Sequence, residues 1–219
     1  MSYSLNTTVL KPLSKEKPKN AVILCHGYGG DGKDISLLAS YWRTYLPETI
    51  FICPDAPEKC EVSPTGFQWF DLMDQTKEQI LIKALVAEIK LNKLIDEVME
   101  KNELQGDQIV IGGFSQGCMI SLLTGIKRKV KINSILGYSG KIIDINHLRD
   151  NINSRPNIIL MHGDKDEIVP VSFLLEAKEF FNTNNYRIES QIFKNCEHRI
   201  PIEGSSLGLE FLKKNLQKD

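Results

Sequence analysis

Residues 109–125 read IVIGGFSQGCMISLLTG and join an apolar strand pattern to a helix pattern through a glycine-rich turn. Within them, Gly113 to Gly117 (GFSQG) match the pattern G-x-S-x-G. In that pattern the serine occupies a strained turn between strand and helix, which lifts its hydroxyl above the sheet. Glycine two residues away on each side lets neighbouring backbone approach without a Cβ clash. The pattern therefore predicts Ser115 as a nucleophile at the end of a strand.

On both sides of this turn, short apolar strands alternate with helices along the chain. The strands are predicted at 4–10, 21–25, 49–53, 108–112, 134–138, 157–161 and 187–193, and the helices at 35–46, 76–101, 116–125, 173–181 and 205–216. This alternation predicts an α/β fold with a mainly parallel sheet and helices on both faces. Because the 219 residues contain no linker or repeat, we expect a single domain over residues 1–219.

Composition narrows the functional classes. With 27 basic and 28 acidic residues, the net charge of −1 gives no electrostatic reason to expect a nucleic-acid partner. No apolar run reaches the roughly 18–20 residues of a transmembrane segment, and the N-terminus lacks a signal-peptide pattern. The 5 cysteines include no C-x-x-C pair, which argues against disulfides or a zinc site. We therefore expect a cytoplasmic protein without a metal or other cofactor.

A serine hydroxyl is a poor nucleophile and needs a base, which a carboxylate in turn orients. Downstream of Ser115 the chain has only three histidines, His147, His162 and His198. His198 lies between the last predicted strand and the last predicted helix, at the sheet edge where ligands bind in open α/β folds. It is the predicted base. His162 closes a predicted strand and is expected to be packed, whereas His147 is expected at the surface.

Three carboxylates compete for the role of the acid. Asp164, Asp166 and Glu167 follow the predicted strand 157–161. Asp164 comes directly after the strand and is also suited to shaping the turn with its own backbone. Asp166 lies further out in the loop and has the better reach, so the residues alone favour it without excluding the other two.

Acyl transfer also needs two N–H groups that point at the oxyanion of the tetrahedral intermediate. One is predicted to be the main-chain N–H of Gln116, which follows the nucleophile. The other is expected in the loop after the strand 21–25, where Tyr28 lies in the stretch HGYGG. His26 precedes Ser115 and is expected to hold this loop through hydrogen bonds.

The connection 56–74 is long for a compact domain and contains Phe67, Trp69 and Phe70. Loops of this length are usually functional or disordered, and clustered aromatic residues argue against disorder. One interpretation is a loop that covers an acyl pocket, with Trp69 and Phe70 as substrate-binding residues. The other is an aromatic plug that caps one edge of the core.

With these residues placed, the chain resembles the acyl-protein thioesterase, carboxylesterase and lysophospholipase family of small α/β-hydrolases. The resemblance covers residues 21–212 and rests on four stretches: H-G-x-G at 26–29, G-F-S-Q-G at 113–117, G-x-x-D-x-x-V-P at 163–170, and the histidine at 198 followed by Ile-Pro at 200–201. It implies the α/β-hydrolase fold and Asp166 as the acid. It also implies oxyanion donors at Tyr28 and Gln116, and an acyl groove beside Trp69.

Three residues depart from the family pattern. Cys118 follows the nucleophile motif where the family often has glycine, and Glu197 precedes His198 where glycine is also common. The first loop has Tyr28 in place of a common leucine. None of the three removes a predicted catalytic group, but they weaken any transfer of substrate preference from the family.

The leading functional hypothesis is a serine hydrolase that cleaves carboxylic esters or thioesters, either on small molecules or on acylated proteins. A lysophospholipase with the same triad and a longer acyl groove is the second hypothesis. A non-catalytic binding module on the same fold is a third, because a fold alone never proves an activity. The expected oligomeric state is a monomer or a homodimer.

Overall fold

The computed structural model describes residues 3–73 and 75–217 and contains a seven-stranded sheet with helices on both faces. The strands are β1 (Thr7–Leu10), β2 (Asn20–Cys25), β3 (Thr49–Pro54), β4 (Glu58–Lys59), β5 (Phe67–Gln68), β6 (Ile109–Phe114), β7 (Ser134–Tyr138), β8 (Asn157–Gly163) and β9 (Ile188–Phe193). The helices are α1 (Gly32–Trp42), α2 (Lys77–Asn102), α3 (Gln116–Lys127), α4 (Ile145–Asp150), α5 (Ser172–Thr183) and α6 (Ile202–Leu216). The order in the large sheet is β1-β3-β2-β6-β7-β8-β9, and β4 and β5 form a separate hairpin.

Within the large sheet, β1 pairs with β3 in antiparallel orientation at one edge. All other strand pairs of this sheet are parallel. The central strands are apolar throughout because both of their faces are covered. In β2, Ala21, Ile23 and Cys25 belong to the core cluster that also contains buried residues of α2, α3 and α5, while Val22 and Leu24 belong to the cluster that contains buried residues of α1 and α6. The mainly parallel α/β architecture predicted from the sequence is therefore confirmed.

The structure differs from the predicted elements mainly at helix ends and in two short elements. Helix α1 begins at Gly32, earlier than predicted, because the Asp31 side chain caps it by accepting from the N–H of Asp34 at 2.8 Å. The prediction missed α4, which Asp144 caps in the same way, and the β4–β5 hairpin. Both missed elements are too short to show a periodic apolar pattern.

The carboxyl ends of the parallel strands meet at one edge of the sheet. The turn between β6 and α3, the loop after β8 and the loop after β9 all leave the sheet there. These connections carry Ser115, Asp166 and His198, respectively. The topology therefore brings distant parts of the sequence to a common edge, where open α/β sheets bind ligands.

Candidate active site

Ser115 lies in a sharp turn between β6 and α3, with φ 53° and ψ −118°. A positive φ is unfavourable for a residue with a Cβ, so the surrounding structure must hold this conformation. The two flanking glycines are required by the end of β2. A Cβ on Gly113 or Gly117 would lie 2.1 or 2.0 Å from the carbonyl oxygen of Cys25, respectively. The main chains of the turn and β2 can thus approach closely only because neither glycine has a side chain.

His198 and Asp166 form a hydrogen-bonded pair. The Nδ1 atom of His198 lies 2.7 Å from Oδ2 of Asp166. An ionised carboxylate can only accept, so Nδ1 carries the proton and Nε2 is left as the basic nitrogen. The ring of Phe114 packs against the imidazole with a centroid separation of 4.7 Å, which further restricts the orientation of His198.

Asp166 is the carboxylate that the fold buries and orients. Its Oδ1 atom accepts from the N–H groups of Ile168 at 3.1 Å and Val169 at 2.8 Å. Burial raises the pKa of Asp166, but the Val169 N–H and His198 outweigh this effect and leave the pKa below its usual value. The two competing carboxylates, Asp164 and Glu167, are exposed. Of the three candidate carboxylates, Asp166 is the one that is bonded to His198.

One cavity of about 640 Å³ lies over this edge of the sheet. Five of the seven residues predicted to form the site line it: the nucleophile, the base, both oxyanion donors and one aromatic residue, namely Ser115, His198, Tyr28, Gln116 and Phe70. A sixth, Asp166, is buried behind His198. Apolar side chains from α2, α3 and α5 complete much of the wall. The cavity thus offers an apolar surface next to a hydroxyl and an imidazole.

The loop that carries Tyr28 is held by His26, as the sequence predicted. Nε2 of His26 accepts from the N–H of Ala56 at 2.9 Å, so Nδ1 carries the proton and donates to the carbonyl of Gly27 at 2.7 Å. Burial is the main cause that lowers the pKa of His26, which favours this neutral tautomer. Within the described residues, the main-chain N–H of Tyr28 donates to no main-chain or side-chain acceptor.

Gln116 begins α3, and the first N–H groups of a helix lack intrahelical acceptors. Its main-chain N–H and that of Tyr28 both belong to residues that line the cavity next to Ser115. Two unpaired amides beside a hydroxyl are the donors that an oxyanion needs. The pKa of the Tyr28 phenol is raised to about 12, mainly by burial, so the side chain stays neutral.

Trp69 does not occupy the position expected of a substrate-binding residue. Its side chain is fully buried and is absent from the described residues that line the cavity. The indole Nε1 donates to the carbonyl of His26 at 3.1 Å, and this bond directs the ring inward against the loop that carries Tyr28. Trp69 therefore serves as the aromatic plug, whereas Phe70 lines the cavity. The structure combines the two interpretations of this loop.

Hydrogen bonds to its main chain attach the connection 56–73 to the site. Asp74, the last residue of the predicted loop, lies outside the described residues. The side chain of Gln116 accepts from the N–H of Trp69 at 2.9 Å and donates to the carbonyl of Phe70 at 2.5 Å. The N–H of Gly29 also donates a hydrogen bond to the carbonyl of Phe67 at 2.9 Å. This second role of Gln116 was missed, because its partners are main-chain atoms that no motif identifies.

Sequence reasoning also missed the segment after β7. Residues 141–146 form one wall of the cavity and include Lys141 and Asp144. Just before them, Ser139 is buried with φ 48°, and its hydroxyl lies close enough to Asp166 to help lower the pKa of that carboxylate. Topology could have indicated this segment, because it follows a parallel strand at the same carboxyl edge of the sheet as Ser115.

Cofactor sites are not evident in the described part of the chain. Among residues 3–73 and 75–217, no group of three or more His, Cys, Asp or Glu side chains is placed to hold a metal ion. None of the helices described there is long and apolar enough to cross a membrane.

Comparisons with known proteins identify the family of the chain. A family profile of phospholipases and carboxylesterases matches residues 8–216. Acyl-protein thioesterase 1 of Saccharomyces cerevisiae is 30% identical over 226 residues, covering 94% of this chain and 98% of the yeast protein. Its Kluyveromyces lactis counterpart is 27% identical, covering 93% and 96%, respectively.

Solved structures show the same fold over nearly the whole chain. The crystal structure of esterase PE8 superimposes with a TM-score of 0.92 at 31% identity, covering 97% of this chain and 99% of that protein. Acyl-protein thioesterase 2 of Zea mays gives a TM-score of 0.79 at 21% identity, covering 96% and 99%, and supports the fold. The resemblance inferred from the motifs is confirmed, and this chain is a hydrolase that belongs to the phospholipase/carboxylesterase family of α/β-hydrolases.

Proposed function

We propose that the protein is a serine hydrolase that cleaves carboxylic esters or thioesters through an acyl-enzyme intermediate on Ser115. The observation that carries the proposal is the 2.7 Å bond between His198 and Asp166 at a cavity that Ser115 also lines. Asp166 orients the imidazole and stabilises its protonated form, while His198 Nε2 is available to the serine hydroxyl. The main-chain amides of Tyr28 and Gln116 are the proposed oxyanion donors.

The reaction proceeds in two acyl transfers. Ser115 Oγ attacks the substrate carbonyl while His198 accepts its proton, and the carbonyl oxygen becomes the oxyanion. The tetrahedral intermediate collapses as His198 gives the proton to the leaving alcohol or thiol. Water then attacks the acyl-serine with the same base, which releases the carboxylic acid and restores the serine. The chain's own residues supply every proton transfer, so no cofactor is needed.

The proposed substrates are small esters and thioesters or acylated proteins. Relatives named acyl-protein thioesterase 1 support acylated proteins as substrates. A cavity of about 640 Å³ with apolar walls has room for more than a short acyl group, so lysophospholipids are a second candidate class. Hydrolysis rates over p-nitrophenyl esters from acetate to palmitate, with a palmitoyl thioester and a lysophospholipid alongside, would separate these classes.

We further propose that the chain is a single domain that works as a monomer or homodimer in the cytoplasm, without a nucleic-acid partner. All 5 cysteines are free and buried, which is compatible with a reducing compartment. Size-exclusion chromatography with light scattering would test the oligomeric state.

Replacing Ser115 with alanine tests the proposal directly. We expect Ser115→Ala to lower kcat/KM for a short p-nitrophenyl ester by roughly 10⁴-fold or more, because no other group in the site replaces the nucleophile. Ser172→Ala, which removes an exposed hydroxyl from the start of α5, is the matched control and should keep wild-type activity.

A fluorophosphonate probe separates the enzyme from a binding module. The wild-type protein should be labelled covalently on Ser115, and Ser115→Ala should remain unlabelled. Full turnover by Ser115→Ala would overturn the proposed nucleophile. An unlabelled and inactive wild-type protein would instead support the binding-module hypothesis.

A further inference from the structure

One wall of the cavity carries a lysine that the proposed hydrolysis does not use. Lys141 lines the cavity together with Ser115 and His198. It follows Gly140, whose α-carbon faces the nucleophile turn: a Cβ there would lie 3.2 Å from the carbonyl oxygen of Ser115. The main chain at Lys141 is therefore adjacent to the turn that holds the nucleophile.

The ammonium of Lys141 has no anionic partner in the described structure. Its Nζ atom lies 4.8 Å from the ring centroid of Phe173, at the start of α5. Among residues 3–73 and 75–217, no carboxylate oxygen lies within 4.0 Å of it. The side chain is also half-buried, unlike most lysines, which leave their charge in water.

The other charged groups of the cavity do not neutralise this ammonium. Lys77, Asp144 and Glu176 line the same cavity as Lys141. Asp144 is engaged elsewhere, because its Oδ1 accepts from the N–H of His147 at 2.7 Å and caps α4. Glu176 is exposed and acts on Lys141 only from beyond ion-pair distance. Lys77 adds a second positive charge.

The titration of Lys141 reflects these surroundings. Burial lowers the pKa of Lys141 and nearby Lys77 lowers it further, while Glu176 raises it. A lowered lysine pKa means that the protein stabilises the ammonium less well than water does. A bound anion would restore the missing stabilisation and take the place of water in contact with the charge.

We propose that Lys141 forms an anion subsite and binds a carboxylate or phosphate group of the substrate while Ser115 attacks the ester or thioester carbonyl. The inference rests on the proposed function and deepens it. Apolar side chains, including Ile142 and Phe173, line the same cavity and suit the carbon chain that connects the anion to the carbonyl. The anion can belong to the acyl chain or to the leaving group, because the contact at Lys141 is the same.

Two matched pairs of esters test the subsite and locate the anion. The acyl pair is the p-nitrophenyl monoester of octanedioic acid and p-nitrophenyl octanoate, which differ by a terminal carboxylate. The leaving-group pair is 4-acetoxybenzoate and its methyl ester, where the carboxylate is on the phenol. For each pair, the ratio of kcat/KM for the anionic over the neutral ester is measured with wild type and variants.

We expect wild type to favour the anionic ester in one of the pairs. Lys141→Met should lower that ratio by about 10-fold or more, mainly through KM, because one charge-assisted hydrogen bond is lost. Its kcat/KM for the neutral ester should change much less than its kcat/KM for the anionic ester. Lys141→Arg should retain the preference. Lys178→Met, which removes an exposed charge further along α5, is the control and should leave the ratio unchanged.

Several results would overturn the inference. Equal kcat/KM for anionic and neutral esters in both wild-type pairs would contradict an anion subsite. A preference that survives in Lys141→Met would assign it to another residue. In both cases, hydrolysis of the neutral esters would leave the proposed function intact. If wild type hydrolysed none of the four esters, the proposed function and the subsite would fail together.

Discussion

Cys118 packs into space that two glycines leave open. Its Sγ atom would lie 2.3 Å from a Cβ on Gly137 and 2.5 Å from a Cβ on Gly140. The cysteine that departs from the family pattern is thus accommodated by the absence of side chains on the facing segment. Burial raises the pKa of Cys118 to about 12, so the thiol stays protonated and does not compete with Ser115 as a nucleophile.

This packing predicts that substitutions at Gly140 and Cys118 are coupled. Gly140→Ala should destabilise the protein by about 1–3 kcal/mol, because the new methyl group would overlap the Cys118 side chain. Cys118→Gly removes that side chain and should recover part of the loss in the double variant. Urea unfolding of the wild type and the three variants gives the coupling free energy. Additive effects would contradict the proposed contact.

At the scale of elements, the strands and long helices were predictable and the covering connection was not. The buried strand β2 and the long helix α2 show clear apolar patterns, because each element repeats its burial many times. In the connection 56–73, the aromatic cluster indicated that the segment is ordered, but not which aromatic side chains face the cavity and which face the core. The Trp69 side chain is held by a hydrogen bond from its indole to the carbonyl of His26, and a sequence pattern does not encode such a partner.

Gln116 joins α3 to this connection through its side chain. Gln116→Ala would leave the buried N–H of Trp69 and the carbonyl of Phe70 without their partners. We expect a loss of about 2 kcal/mol or more in the free energy of unfolding, measured in urea. We also expect a lower kcat/KM, because Phe70, which forms part of the cavity wall, loses its support. The main-chain N–H of residue 116, a proposed oxyanion donor, is kept in this variant.

A control separates this role from a general effect of losing a glutamine. Gln191 is exposed on β9, and Gln191→Ala should change the free energy of unfolding by no more than about 0.5 kcal/mol. If Gln116→Ala matched this control in stability and in kcat/KM, Gln116 would not anchor the connection.

At the scale of the molecule, the candidate site follows from chain order in a parallel sheet. The sequence predicted His198 and Asp166 as a pair, and the structure places them 2.7 Å apart, because both follow strands that end at the same edge. Lys141 was not predicted, although its segment follows β7 at that edge. No motif marks it, and its importance depends on burial and on missing partners, which only coordinates reveal.

Two buried histidines predict how the stability of the whole molecule depends on pH. His26 and His162 are each only 2% exposed, and burial is the main cause that lowers the pKa of both. An unfolded histidine has a pKa of about 6.5, so between this value and the lower folded value the unfolded chain binds more protons. The free energy of unfolding therefore rises with pH in this window and falls on acidification below about 6.5.

The test is urea unfolding from pH 5 to 8 at constant ionic strength. Each histidine should contribute a slope of up to about 1.4 kcal/mol per pH unit below pH 6.5, and none above it. In His162→Gln, the amide can still donate to the carbonyl of Val169, as Nε2 of His162 does at 2.7 Å, but it does not titrate. This variant should therefore show a shallower slope than wild type. An unchanged slope would mean that burial of His162 costs no more in the charged than in the neutral form, contrary to its lowered pKa.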